Sequence, residues 1–172
     1  MKPVIASVTV PHPREEVYDF LDVLGNQEAF TDHFLIDWKL SGPRAGIGAQ
    51  ARMRVRTPGP EDLDMKVIAA ERPQKTVEEA VGANGRRRTR GTYLLEQLPG
   101  GTKVTFELLW LEAPLAERLA APCTRAVTRR ANAKALRRLA EVLAHQALTE
   151  SRRRTTRRPA PTERQREKGE AR

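Results

Sequence analysis

The chain has a single cysteine, Cys123, so no internal disulfide can form. A lone thiol suits a reducing compartment, and a cytoplasmic location is expected. Aromatic residues make up only 5%, so a core must be built mostly from aliphatic side chains. No stretch approaches the roughly 20 apolar residues of a membrane-spanning helix. The first apolar run is too short for a secretory leader and has a strand pattern instead. No glycine motif of the phosphate-cradling kind occurs, and no His, Cys or carboxylate cluster has metal-ligand spacing. Neither a cofactor nor a metal is therefore expected. There is no internal repeat.

Arginine is what the chain has in quantity, 24 against 7 lysines. The net charge of +9 is uneven. Residues 151–172 hold eight arginines and one lysine against three glutamates, a net of +6, which leaves +3 for residues 1–150. The final stretch is nearly free of large apolar residues and cannot form a core. We expect a folded domain over 1–150 and a disordered basic tail over 151–172. Arg152, Arg153, Arg154, Arg157 and Arg158 could contact the phosphates of nucleic acid or anionic lipid. No aromatic residue is interleaved with them, so base stacking is not indicated. A solubilising extension is the simpler reading, and a GC-rich coding sequence would also favour arginine.

The body is patterned. Val4, Ala6, Val8 and Val10 alternate with Ile5, Ser7 and Thr9, as in a half-buried strand. Pro11 and Pro13 stop it, and Pro13 can open a helix because its missing N–H costs nothing there. Val17, Phe20, Leu21 and Leu24 form the apolar side of that helix, and Gly25 ends it. A second short helix is predicted over Asn26–Thr31. Five further hydrophobic alternations start at Phe34, Ala49, Leu63, Arg88 and Lys103, and a shorter strand is predicted over Thr76–Val81. In the Phe34 strand, Phe34, Ile36, Trp38 and Leu40 share a face. In the Ala49 strand, Ala49, Ala51, Met53 and Val55 oppose Gln50, Arg52, Arg54 and Arg56. The Arg88–Leu98 strand is partly apolar on both faces, which leaves its register open. Tight turns between these strands imply antiparallel neighbours. The first strand is expected beside the last.

The remaining stretch, Leu115–Ala147, reads as one long helix bent near Pro122. Leu115, Leu119, Pro122, Ala126, Arg129, Ala133, Leu136, Ala140, Leu143 and Ala147 follow a four-three spacing and predict one face. A helix of roughly 50 Å is too long to stand without a partner surface. The expected architecture is α+β: a seven-stranded antiparallel sheet curved around this helix, with two short helices after the first strand.

This order resembles the START-like helix-grip superfamily, the group of polyketide cyclase/dehydrase and lipid-transfer proteins. The resemblance rests on Ser7-Val-Thr-Val-Pro-His-Pro-Arg-Glu-Glu-Val-Tyr-Asp-Phe-Leu21, on the glycine loop Ser41-Gly-Pro-Arg-Ala-Gly-Ile-Gly48, and on the last hairpin around Gly100-Gly-Thr-Lys-Val-Thr-Phe106. It covers roughly residues 3 to 147. Many members carry a Trp after the second short helix, where this chain has Phe34. The resemblance implies a cavity between sheet and helix for a mainly apolar small molecule.

Trp38, Met53, Met65, Phe106 and Trp110 stand on strand faces expected to turn inward. Phe34 stands near the expected cavity mouth, and Cys123 and Ala126 near the helix bend. Tyr93 is the aromatic hydroxyl best suited to a polar contact. These nine residues are the candidate ligand-binding set; an ordinary packed core would use the same residue types. Catalytic residues are not identifiable. His33 lies beside Asp32 in a pair of the acid–base type, but adjacent side chains rarely face one substrate, and a solvated loop pair is the plainer reading. The expected function is binding or transport of a small lipid- or polyketide-like molecule. The alternatives are a polyketide cyclase, aromatase or dehydratase, and an interaction module docking through its tail.

Overall fold

The computed structural model describes residues 1–56 and 61–156. Strand β1 (Val4–Val10) leads into helix α1 (Arg14–Asp22), a 3-10 turn (Leu24–Gln27) and helix α2 (Glu28–Thr31). Six strands follow: β2 (Leu35–Ser41), β3 (Gln50–Val55), β4 (Glu61–Glu71), β5 (Lys75–Gly82), β6 (Arg87–Leu98) and β7 (Gly101–Glu112). Helices α3 (Leu115–Leu119) and α4 (Ala121–Thr156) complete the described chain. The seven strands form one antiparallel sheet in the order β1-β7-β6-β5-β4-β3-β2. β1 pairs with β7, as the tight turns elsewhere require.

Two apolar clusters fill the concave side. One joins α1, α2 and α4 to β1, β6 and β7, through Phe30, Leu21, Val104, Leu136 and Leu139 among others. The second lies at the other end of the sheet, where Met53, Met65, Val67 and Ala51 pack with Leu24 and Leu35. β3 follows its alternation: Ala51 and Met53 are buried while Arg52 and Arg54 are exposed. The open register of β6 resolves with Thr89, Gly91, Tyr93 and Leu95 buried, and Leu94 exposed on the outer side.

Three expectations are corrected. First, Leu115–Ala147 is not one bent helix. The chain breaks at Ala120, and Pro122 occupies the first turn of a new helix, where proline is tolerated. α3 buries none of its residues; Leu115 and Leu119 are exposed.

Second, the buried stripe of α4 runs through Asn132, Ala135, Leu136, Leu139 and Leu143. Of the predicted face only Leu136 and Leu143 are fully buried, and Ala126, Arg129 and Ala147 are exposed. A strict four-three spacing drifts by about 20° per heptad from a real α-helix, and the break at Ala120 removes any common phase with α3.

Third, β2 does not alternate through its length. Its register shifts between Ile36 and Lys39, and Asp37 takes a left-handed conformation with φ of 58°. Such a bulge re-aims the following side chains, and Asp is among the residues that tolerate it best. Ahead of the bulge Leu35, rather than Ile36, is the buried residue, and beyond it Leu40 is exposed.

The boundary expected at residue 150 falls inside α4, which continues to Thr156. Arg157 and Arg158 lie outside the described residues. Among the described residues no helix is long and apolar enough to cross a membrane.

Candidate functional site

A cavity of about 530 Å³ lies between the sheet and α4. Its floor is the inward face of β4 to β7. Its roof is the α4 segment from Cys123 to Leu136. The 3-10 turn and α2 close one side through Gln27 and Thr31. Arg56, Ala120, Cys123 and Val127 line the space and are exposed, so the opening lies where α3 gives way to α4.

Sheet and helix leave this room because the roof is made of small side chains. Thr124, Thr128, Ala131 and Ala135 face the space where larger residues would fill it. Below them Phe106, Leu108 and Trp110 of β7 and Leu63 and Met65 of β4 supply an apolar lining. Tyr93 stacks beside Phe106, with ring centroids 4.5 Å apart.

Within this apolar chamber stands a carboxyl group. Glu78, in the middle of β5, is only 4% exposed. Its register partner across the ladder is Gly91 of β6. A side chain at position 91 would crowd the carboxyl and the Phe106 ring. A Cβ there would lie 2.9 Å from Glu78 Oε1 and 3.0 Å from a Phe106 ring carbon. The glycine thus makes the room in which the carboxyl lies.

Gln27 Nε2 donates to Glu78 Oε2 at 2.8 Å. Gln27 is itself buried, and its backbone carbonyl accepts from the Thr31 hydroxyl at 2.7 Å. Among the described residues Gln27 is the one hydrogen-bond partner of Glu78, and no cation offsets the charge. Burial therefore pushes the Glu78 carboxyl up to about 7, against a smaller lowering by the Gln27 bond. Tyr93 is buried with it. Burial and the neighbouring Glu78 charge hold its hydroxyl protonated well above the usual range.

The roof carries a second polar group. Asn132 is 6% exposed and lines the cavity, and among the described residues its side-chain nitrogen has no hydrogen-bond partner. Near the opening, Arg87 donates to Glu117 of α3 and, at 2.6 Å, to Glu61 of β4. This half-buried triad ties α3 to the sheet.

Of the nine candidate residues, Phe34, Met65, Tyr93, Phe106, Trp110 and Cys123 line the cavity. Trp38, Met53 and Ala126 do not. The β2 bulge turns Trp38 onto the second apolar cluster, and Met53 is fully buried within that cluster. Ala126 points to solvent because the α4 stripe is offset from the four-three spacing.

The polar members Glu78, Gln27, Thr31 and Asn132 are not singled out by the sequence. For Glu78 a signal exists. Thr76, Glu78, Ala80 and Gly82 form one face of β5, and Val77, Glu79 and Val81 the other. The valines suggest that the second face turns inward, yet Val81 is exposed and the first face is buried. Only the pairing of Glu78 with Gly91 reveals which side is which.

Asp32 and His33 do not form a free loop pair. Arg138 of α4 pairs with Asp32, and His33 Nε2 lies 3.1 Å from the Ala131 carbonyl. Burial lowers the His33 pKa, against the opposing effect of that carbonyl, so the ring is neutral and donates to it. The pair fastens α2 to α4 and does not line the cavity.

The arginines of the sheet are also engaged. Arg52 and Arg54 meet Asp62, Asp64 and Asp37 on the outer face of the sheet. Arg88 and Arg90 meet Glu79 and Glu112. Exposed pairs of this kind contribute little stability, but they cancel the positive stripe that a phosphate backbone would need. Among the described residues no three His, Cys, Asp or Glu side chains converge as a metal would require.

No protein-family model and no curated protein matches the sequence. Solved structures do. TTHA0849 from Thermus thermophilus is similar at a TM-score of 0.66 and 19% identity, over 84% of this chain and 99% of that one. KanY is similar at a TM-score of 0.67 and 12% identity, over 83% of this chain and 97% of that one. DynU16, from the dynemicin biosynthetic locus, gives 0.59 and 18% over 84% of this chain, which spans 48% of its length. At these identities the likeness is one of fold, the helix-grip arrangement of a seven-stranded antiparallel sheet with a long C-terminal helix.

Proposed function

We propose that this chain binds a small, mainly apolar molecule of lipid- or polyketide-like character between its sheet and α4. The observation that carries the reading is the cavity itself, about 530 Å³ of room with an apolar lining and an opening beside α3. Pockets of this size and character hold small molecules. A ligand of about 20 heavy atoms at roughly 0.3 kcal/mol each gains about 6 kcal/mol, equivalent to a dissociation constant of tens of micromolar. Oriented polar contacts would tighten it.

Native mass spectrometry of gently purified protein, followed by organic extraction, tests the reading. A retained apolar molecule supports it. The site is checked by Trp fluorescence titration of the extracted compound. Trp110, which lines the cavity and is 7% exposed, should matter more than Trp38, which does not line it. Trp110→Ala is expected to weaken binding about tenfold, the loss of a large buried aromatic contact, and Trp38→Ala less than about twofold. Equal losses would place the ligand elsewhere.

One observation favours a second reading, an enzyme of the cyclase, aromatase or dehydratase type. Glu78 is a carboxyl in an apolar chamber whose pKa lies near neutral pH, where a general acid or base works best. If a bound compound is turned over, Glu78→Gln should lower the rate by about a hundredfold or more while binding persists. A rate unchanged by that substitution would remove Glu78 from the chemistry.

A further inference from the structure

We propose that Glu78 and Asn132 form a polar recognition site within the cavity, and that the ligand is a neutral apolar molecule carrying a carbonyl or hydroxyl oxygen. This rests on the binding reading above and adds the chemistry that selects the ligand. A chamber meant for hydrocarbon gains nothing from a carboxyl and an amide, because each costs free energy when buried without partners. Here both are buried and both are incompletely satisfied. Glu78 has one donor, Gln27, for one of its two oxygens. Asn132 is buried, and among the described residues its amide nitrogen is unpartnered. They stand on different walls, Glu78 on the sheet and Asn132 on α4, and both line the same space.

The chemistry of the pair limits what completes it. Asn132 offers a donor, which calls for an acceptor oxygen. Glu78 offers an acceptor when ionised and a donor when protonated. Its carboxyl changes form near pH 7, so it suits a hydroxyl above that pH and a carbonyl below it. An anionic head group beside it would set two negative charges together in an apolar chamber, and one would have to take up a proton.

The groups packed around Glu78 leave it free to act this way. Gln27 from the 3-10 turn does not titrate, Gly91 has no side chain, and Tyr93 of β6 stays neutral. The other charged or titratable residues in the lining are Arg56, Arg87, Glu117 and Cys123. Arg87 is occupied by Glu117 and Glu61.

The experiment uses three probes of one shape: 2-acetylnaphthalene, 2-ethylnaphthalene and 2-naphthoate. Each is titrated calorimetrically into the full chain and into Asn132→Leu and Glu78→Gln, at about pH 6 and about pH 8. At the lower pH the ketone should bind the wild-type protein about tenfold more tightly than the ethyl compound, as one satisfied buried hydrogen bond implies. That ratio should fall severalfold at the higher pH, as Glu78 stops donating, and should be flat with pH in Glu78→Gln. Asn132→Leu should lower the ratio at both pH values. Naphthoate should bind the wild-type protein more weakly than the ketone, and should gain on it in Glu78→Gln. Equal binding of ketone and ethyl compound at both pH values would overturn the polar site while leaving cavity binding intact. A ratio that changes with pH identically in wild type and Glu78→Gln would remove Glu78 from it. Failure of all three probes to bind would overturn the cavity reading and this inference together.

Discussion

Glu78→Gln is expected to stabilise the protein at about pH 8, by about 2 kcal/mol, and to destabilise it by about 1 kcal/mol at about pH 4. In the fold, burial holds the carboxyl at about 7; in the unfolded chain it returns to near 4.5. Below 4.5 both states are protonated and burial carries no charge penalty. Between 4.5 and 7 the folded state keeps a proton that the unfolded state has lost, so stability falls as pH rises. Above 7 the full penalty stands, about 3 kcal/mol from the separation of the two pKa values. Glutamine never ionises and escapes it. Its amide can still accept from Gln27, but its own N–H groups need partners, which removes about 1 kcal/mol of the gain. Urea unfolding of both proteins at the two pH values measures the difference. A destabilised variant at the higher pH, or an equal change at both, would mean that the carboxyl is not held up by burial. A residue that destabilises its own fold at neutral pH is what a working site looks like when stability is traded for chemistry.

The same residue marks the limit of what the sequence makes legible. Strands such as β1 and β3 can be read because apolar side chains alternate with polar ones along them. The order of elements then carries the fold class and the pairing of β1 with β7. β5 breaks the rule: its inward face is Thr76, Glu78, Ala80 and Gly82, and a valine, Val81, stands on its exposed side. A strand that lines a cavity need not be apolar inside, so its polarity pattern does not report its orientation. Trp38 is misplaced for a different reason. It stands on the edge strand β2, where the bulge at Asp37 leaves it on the concave side but packed on the second apolar cluster, away from the cavity, and nothing in the local composition announces the bulge. Ala126 is misplaced by phase. A heptad period is adequate across two turns and fails across four. Lining residues such as Phe106 and Trp110 are within reach because the register of β7 runs unbroken from Gly101 to Trp110, and its irregularity at Leu111 falls beyond them.

Leu139 and Leu136, close neighbours on α4, should respond differently to truncation although both are almost fully buried. Leu139 belongs to the apolar cluster that joins α4 to α1, α2 and the β1–β7–β6 end of the sheet, and it does not line the cavity. Leu139→Ala would open a new void inside close-packed side chains, at a cost of about 3 to 4 kcal/mol. Leu136 belongs to the same cluster but already faces the open space on one side. Leu136→Ala would enlarge an existing cavity rather than create one, and fewer contacts would be lost. Its cost should lie nearer to about 2 kcal/mol, the low end for a buried leucine. Urea unfolding at fixed pH gives both values, and an unchanged dependence on urea concentration would confirm that stability and not compactness has moved. Equal costs would mean that the space beside Leu136 closes in solution. The contrast also separates two jobs of one helix. Around Leu139 and Leu143, α4 is held by the sheet. From Cys123 to Leu136 it spans the cavity on small side chains. The chain can therefore leave about 530 Å³ open in one half of the helix–sheet contact because the other half is held by the apolar cluster through Leu139 and Leu143.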